Sequence, residues 1–308
     1  MNKYKKIGLT ALAGSLVATS AFAGELGVSG SASINMEHTN GGAANKGKTF
    51  SMGNSVVFSG SGELDNGMTV SLSFELDQGD DSTTNAAQLY TGGPFDGHSV
   101  SISSDTLGKL TLSGEGGKSS TALYDTSAAG DLWDNYDAED GIEPEETGTA
   151  DNMLLYTLPT FIDDVTAKVS YTPGAAGVDS ATAWRLGYTG VEGLTVDYAQ
   201  GDNETVGAKA EATTFKASYA YSSFTLSYSK NEYDTEAATG GQDIDSWNLA
   251  YTVNDDISVA YGTETHDTEA QGVDEEAEYV NVSYTTGGVT LSASQFMYEG
   301  NDNIAGSA

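Results

Sequence analysis

The chain has 308 residues, with 45 Asp and Glu against 12 Lys and Arg, a formal charge of −33, and no Cys. A surface this acidic excludes nucleic acid and anionic lipid as partners of the whole molecule and favours divalent cations between carboxylates. The absence of Cys excludes a disulfide-stapled secreted module, so stability has to come from the fold itself.

Residues 1–23 read as an export signal. Lys3, Lys5 and Lys6 form the positive start, Ile7 to Ala18 the apolar stretch, and Ala21 to Ala23 the small-residue cleavage motif before Gly24. The stretch is too short, and too rich in Gly, Ala, Ser and Thr, to be a membrane helix, and no other segment approaches 18 consecutive apolar residues. Removing it leaves nine basic against 45 acidic residues, a charge of −36. Residues 24–308 show no linker and no shift in composition, and read as one domain.

From Gly24 onward, apolar and small polar residues alternate in about fifteen runs with no long helix among them. Strands are predicted over 25–38, 49–64, 68–78, 97–105, 109–116, 152–158, 165–173, 182–190, 194–201, 211–222, 224–234, 244–253, 257–267, 276–286 and 289–299. In Val70 to Phe74, Leu194 to Tyr198 and Ile257 to Tyr261 one face is apolar and the other is Ser, Thr, Ala or Asp. A soluble sandwich would carry Lys and Glu on its second face. Ser, Thr, Gly and Ala suit a crowded, wet interior, so an all-β transmembrane antiparallel barrel, greasy outside and hydrated inside, is the expected fold.

The connections alternate in kind. Tight turns are predicted at 65–67, 106–108, 190–193, 222–223, 254–256 and 287–288, with long acidic connections between them. Short turns at one rim and long connections at the other is the outer-membrane barrel pattern. Tyr156, Tyr171, Tyr188, Tyr198, Tyr219, Tyr228, Tyr251, Tyr261 and Tyr284, with Trp184, Trp247, Phe58 and Phe74, are expected to form two girdles where hydrocarbon meets headgroups. Such barrels have an even strand number, so sixteen strands are expected, with the last one missing from this sequence.

The longest connection, 117–151, carries Asp125, Asp131, Asp134, Asp137, Glu139, Asp140 and Glu143 among its acids against the single Lys118. Leu123, Tyr124, Leu132, Trp133 and Tyr136 give it something to pack with, so it is expected to fold inward. Asp134, Asp137, Glu139 and Asp140 are candidates for Ca²⁺, which accepts irregular oxygen shells. In Asp137 to Gly141, however, the Gly falls one position too early for an EF-hand, and solvated acids are the preferred reading.

Three stretches, Gly62 to Thr69, Leu107 to Ser113 and Asn152 to Phe161, resemble in order and spacing the general porins of Gram-negative outer membranes, the trimeric sixteen-stranded kind with a constriction loop after the fifth strand. The resemblance implies a homotrimer in outer-membrane lipid, passive diffusion of small hydrophilic solutes and ions, no cofactor, and an eyelet where loop acids face basic wall residues. Strand parity supplies the wall: Lys109, Lys168, Arg185 and Lys216 alternate with apolar neighbours and are expected to line the lumen, because a cation facing lipid costs about 2 to 4 kcal/mol at the midplane. The acids Glu63, Glu75, Asp77 and Asp197 share that parity. With one Arg where such porins carry a cluster, and with inward acids besides, the expected channel prefers cations.

Other classes fit less well. The histidines His38, His98 and His266 stand near strand ends or in connections as lone exposed side chains, with no nucleophile motif beside them, so no enzyme is expected. A secreted acidic β-rich adhesin would need a fixed short repeat, and none is present. A substrate-specific channel, with Tyr124, Trp133 and Tyr136 beginning an aromatic path, is the narrower alternative within transport.

Overall fold

The computed structural model describes residues 26–40, 46–77, 97–122, 127–130, 132, 147, 151–174, 179–204, 209–236, 241–268, 275–286 and 289–299. The export signal of residues 1–23 lies outside them.

Alternation becomes strands throughout. They are β1 (Gly27–Asn40), β2 (Lys46–Glu63), β3 (Thr69–Asp77), β4 (Gly97–Ser104), β5 (Gly108–Glu115), β6 (Met153–Thr157), β7 (Val165–Thr172), β8 (Ala181–Tyr188), β9 (Leu194–Asn203), β10 (Ala210–Tyr221), β11 (Phe224–Thr235), β12 (Gln242–Thr252), β13 (Ile257–Thr268), β14 (Glu275–Thr286) and β15 (Val289–Glu299). Each falls within a few residues of the run that predicted it. All fifteen join one antiparallel sheet in chain order, each strand paired with the next. Among the described residues no ladder joins β15 back to β1, and no helix is long and apolar enough to cross a membrane.

The tight turns take the backbone conformations their residues favour. Gly67 has φ +80° after a turn in which the Asn66 side chain accepts from the Met68 N–H at 3.1 Å. Ser222, between β10 and β11, sits at φ +55°. At the opposite rim, the connection after β9 is pinned by Lys209, whose Nζ lies 2.6 Å from a Glu204 carboxylate oxygen. That hydrogen bond, and then the carboxylate charge, hold the ammonium above its usual range.

Register puts the large apolar side chains on one face, and there they stay exposed. Tyr171, Trp184, Leu186, Tyr198, Tyr228 and Trp247 lie there, each open to its surroundings. In water that would be a gross liability; against hydrocarbon it is the stable choice. The rings form two rows. One runs through Trp184 and Tyr198 (centroids 5.5 Å apart), Phe215 and Tyr228 (6.2 Å), and Trp247 and Tyr261 (5.4 Å). The other, nearer the short turns, includes Tyr219 and Tyr221 (6.4 Å) and Phe224 and Tyr251 (4.7 Å). The buried side chains occupy the opposite face and are small: Ala183, Ala199, Ala212, Ser170, Ser229 and Ser246.

The inner wall and the segment that stands on it

What buries those small side chains is the connection between β5 and β6. Its backbone is hung from hydroxyl groups of the wall. The N–H of Ser120 donates to Ser170 Oγ of β7 at 2.9 Å, that of Ala128 to Ser229 Oγ of β11 at 2.8 Å, and that of Ala129 to Ser246 Oγ of β12 at 2.9 Å. Thr214 of β10 donates to the Thr121 carbonyl at 3.4 Å, and Asn231 Nδ2 of β11 supports Thr214 at 3.0 Å.

Two glycines make the close approach possible. A Cβ on Gly201 of β9 would collide with Thr147 of the segment, and one on Gly262 of β13 would stand 3.1 Å from the Ala129 side chain. Leu132 and Thr147 are each 1% exposed. The described part of the connection therefore rests on one face of the sheet from β7 to β13, its inner face. The sequence did not reveal the footing of this described part, because Ser, Ala and Gly on a strand are equally compatible with open water.

The four basic candidates lie on this face and form a row across neighbouring strands. Lys109 of β5 faces Thr157 of β6, Thr157 faces Lys168 of β7, and Lys168 faces Arg185 of β8. Asp197 of β9 faces Lys216 of β10. In β7 and β10 each cation sits one inward position closer to the short turns than the residue the segment touches: Lys168 below Ser170, Lys216 below Thr214. Arg185 is held by Asp197 through Nε at 2.8 Å and Nη2 at 2.7 Å. A small hollow of about 190 Å³ brings Ser127 and Ala128 of the segment together with Asp197 and Lys216.

The acidic candidates are more scattered. Glu63 shares with Lys109 a hollow of about 660 Å³ at the short-turn rim, also lined by Thr69, Ser103 and Pro159. Glu75 of β3 lies beside Gly97 of β4. Asp77 ends β3, opposite Ser55, and its side chain is outside the described residues. Asp125, Asp131, Asp134, Asp137, Glu139, Asp140 and Glu143 also lie outside them, and with them the Ca²⁺ candidates. Among the described residues no group of three or more acids and histidines is arranged to hold a metal ion.

One histidine differs from expectation, and a second, exposed as expected, has an acidic neighbour. His266, read as exposed, is buried on the inner face with Nε2 at 2.9 Å from Gln242 Oε1. His98 lies 3.8 Å from Glu115 across a register shift between β4 and β5, which a period-two pattern does not reveal. Glu264, 3% exposed on the inner face, was not singled out from the sequence either.

The family model for Gram-negative porins matches residues 8–304. The chain belongs to the Gram-negative porin family. Its place is the outer membrane, where it forms a porin channel. Solved porins share the fold at low sequence identity. An anion-selective porin from Comamonas acidovorans has a TM-score of 0.62 at 16% identity, covering 90% of each chain. A porin refined at 1.8 Å resolution has 0.63 at 16%, covering 91% of this chain and 96% of its own. A loop-deletion mutant of OmpT, an outer membrane protein of Vibrio cholerae, has 0.59 at 16%, covering 91% and 93%. No curated protein matches the sequence. The expected β-barrel class is thus the fold of this porin, and the adhesin alternative falls away.

Proposed function

We propose that this porin is a water-filled channel for passive diffusion of small hydrophilic solutes and ions, assembled as a homotrimer, narrowed by the 117–151 segment, and cation-preferring. The observation that carries the narrowing is the footing of that segment on the inner face of β7 to β13. A chain held against the wall by three backbone hydrogen bonds takes up cross-section that solutes would otherwise use.

Cation preference rests on charge. The exported chain carries 45 acids against nine bases, which raises the local cation concentration at both mouths. Opposing it is the row containing Lys109 and Lys168, while Asp197 offsets Arg185. Porins of this fold include an anion-selective one, from which a cation-preferring channel is told apart by the sign of its reversal potential. In a planar bilayer under a KCl gradient, the reversal potential should take the sign for K⁺ over Cl⁻; the opposite sign rejects cation preference. Absence of discrete conductance steps rejects the open-channel reading itself.

A further inference from the structure

Away from the basic row, the inner wall changes character. On β14, past Glu275 at its start, the inward positions are Ala277, Tyr279, Asn281, Ser283 and Thr285, facing Tyr298, Phe296, Ser294, Ser292 and Thr290 of β15, and none of these ten is charged. Tyr279 faces Phe296 in register, and their rings are nearly parallel, 18° apart in plane with centroids 6.3 Å apart.

The Tyr279 ring leans over Gly262, where any Cβ would strike it, and its hydroxyl donates to Asn248 Oδ1 at 3.0 Å. Both rings are therefore laid along the wall, half-exposed, instead of projecting end-on. Gly262 is also the glycine beside Ala129, so this aromatic surface begins at the foot of the narrowing segment.

Toward the short turns the rings give way to a ladder of hydroxyl and amide groups. Asn281 Nδ2 donates to Ser294 Oγ at 2.7 Å, Ser283 and Ser292 hydroxyls pair at 2.8 Å, and those of Thr285 and Thr290 at 3.0 Å. Successive inward positions are about 6.8 Å apart along a strand, so the ladder presents a polar rung at each step.

Water and simple ions gain little from two aromatic faces kept partly open in a lumen. A solute with an apolar C–H face and a rim of hydroxyls gains on both counts: it covers the rings and exchanges hydrogen bonds with groups that both donate and accept. We propose that Tyr279 and Phe296, with Asn248 and Asn281 at their edges, form a binding station for neutral hydroxyl-rich ring solutes, that is, sugars, from which the β14–β15 ladder leads to the short-turn mouth. This rests on the channel reading above and names a solute class for it.

The test is current block in single channels of the exported protein. Maltotriose at millimolar concentration should reduce the K⁺ current in a saturable manner. Tyr279→Leu and Phe296→Leu, which keep apolar bulk but remove the ring, should each weaken the block by about tenfold, read as the sugar concentration that halves each variant's own KCl current. Tyr279→Phe, which keeps the ring, should retain most of it. If Tyr279→Leu does not assemble, Phe296→Leu alone reads the same station. Equal block by a polyethylene glycol of matching size, stronger block by choline than by the sugar, or unaltered sugar block in the leucine variants would overturn the proposal while leaving the channel intact. A protein with no conductance would overturn the channel reading together with it.

Discussion

Nε and Nη2 of Arg185 both converge on Oδ1 of Asp197, at 2.8 and 2.7 Å, so one carboxylate oxygen on β9 fixes the guanidinium presented by β8. The other immediate neighbour of Arg185 in the row is Lys168, a like charge directly opposite, which a sheet tolerates only at a cost. Asp197 offsets that repulsion. Replacing it by Asn should leave Lys168, Arg185 and Lys216 with no acid among them, moving the reversal potential toward anions, whereas Arg185→Gln should move it toward cations. Each change removes a charge-assisted bond from a partly buried pair and should lower stability to urea in lipid by about 1 kcal/mol. Shifts of the same sign in both variants would show that the row does not govern selectivity.

The serine hydroxyls that carry the narrowing segment lend themselves to a direct check. Ser229→Ala with Ser246→Ala removes the acceptors for the Ala128 and Ala129 N–H groups, at about 1 kcal/mol each. The barrel should still form, because the strand ladders are untouched. Open-channel noise should rise and brief closures appear. A trace as quiet as that of the unmodified porin would mean that the footing is held by other contacts.

Gly201 should tolerate no side chain. A Cβ there meets Thr147, the Ala183 side chain and the Thr182 carbonyl, so Gly201→Val must push the segment off the wall. Overpacking of this kind costs about 1 to 3 kcal/mol. The expected result is altered conductance with the strand content by circular dichroism preserved; unchanged conductance would contradict the close approach.

Beyond the upper aromatic row, on the outward face, carboxylates oppose one another in register: Asp202 with Glu211, Glu211 with Asp234, Glu232 with Asp243, Asp243 with Asp267, and Glu276 with Glu299. Among the described residues Lys230, paired with Glu232 at 2.5 Å, and Lys209, paired with Glu204, bring positive charge to this band. Directly opposed like charges destabilise a sheet, and salt screens them. Thermal stability should therefore rise with NaCl, and Glu211→Gln or Asp243→Asn should raise it at low salt by about 0.2 to 1 kcal/mol, with the gain fading as salt is added. Calorimetry or heat-modifiable mobility would register either trend, and indifference to salt would refute the repulsion.

Strands were legible because each buried its pattern in plain view. Val70 to Phe74 alternates cleanly, and β3 spans it; the bounds at Val289 and Glu299 fell where the apolar alternation starts and stops. The lipid-facing role of Trp184, Tyr198 and Trp247 was readable for the same reason. Parity alone, however, cannot say which inward residues meet one another, and that is where the reading fell short. Tyr279 looks like any strand tyrosine until Gly262 on the adjacent β13 and Asn248 on β12 beyond it are seen. His266 passed for an exposed strand-end histidine because Gln242, its partner, lies on β12 at a register known only once the sheet is built. The footing of the segment was hidden in Ser, Ala and Gly, residue types that announce nothing individually.

Almost every contact in the sheet joins neighbours in the chain, so hairpins can add one after another. The footing does not share that economy of distance: Ala128 and Ala129 reach Ser229 and Ser246, 101 and 117 residues further on. Contacts of that separation can form only once β11 and β12 have joined the sheet, so the seating of the segment waits on the late part of the wall.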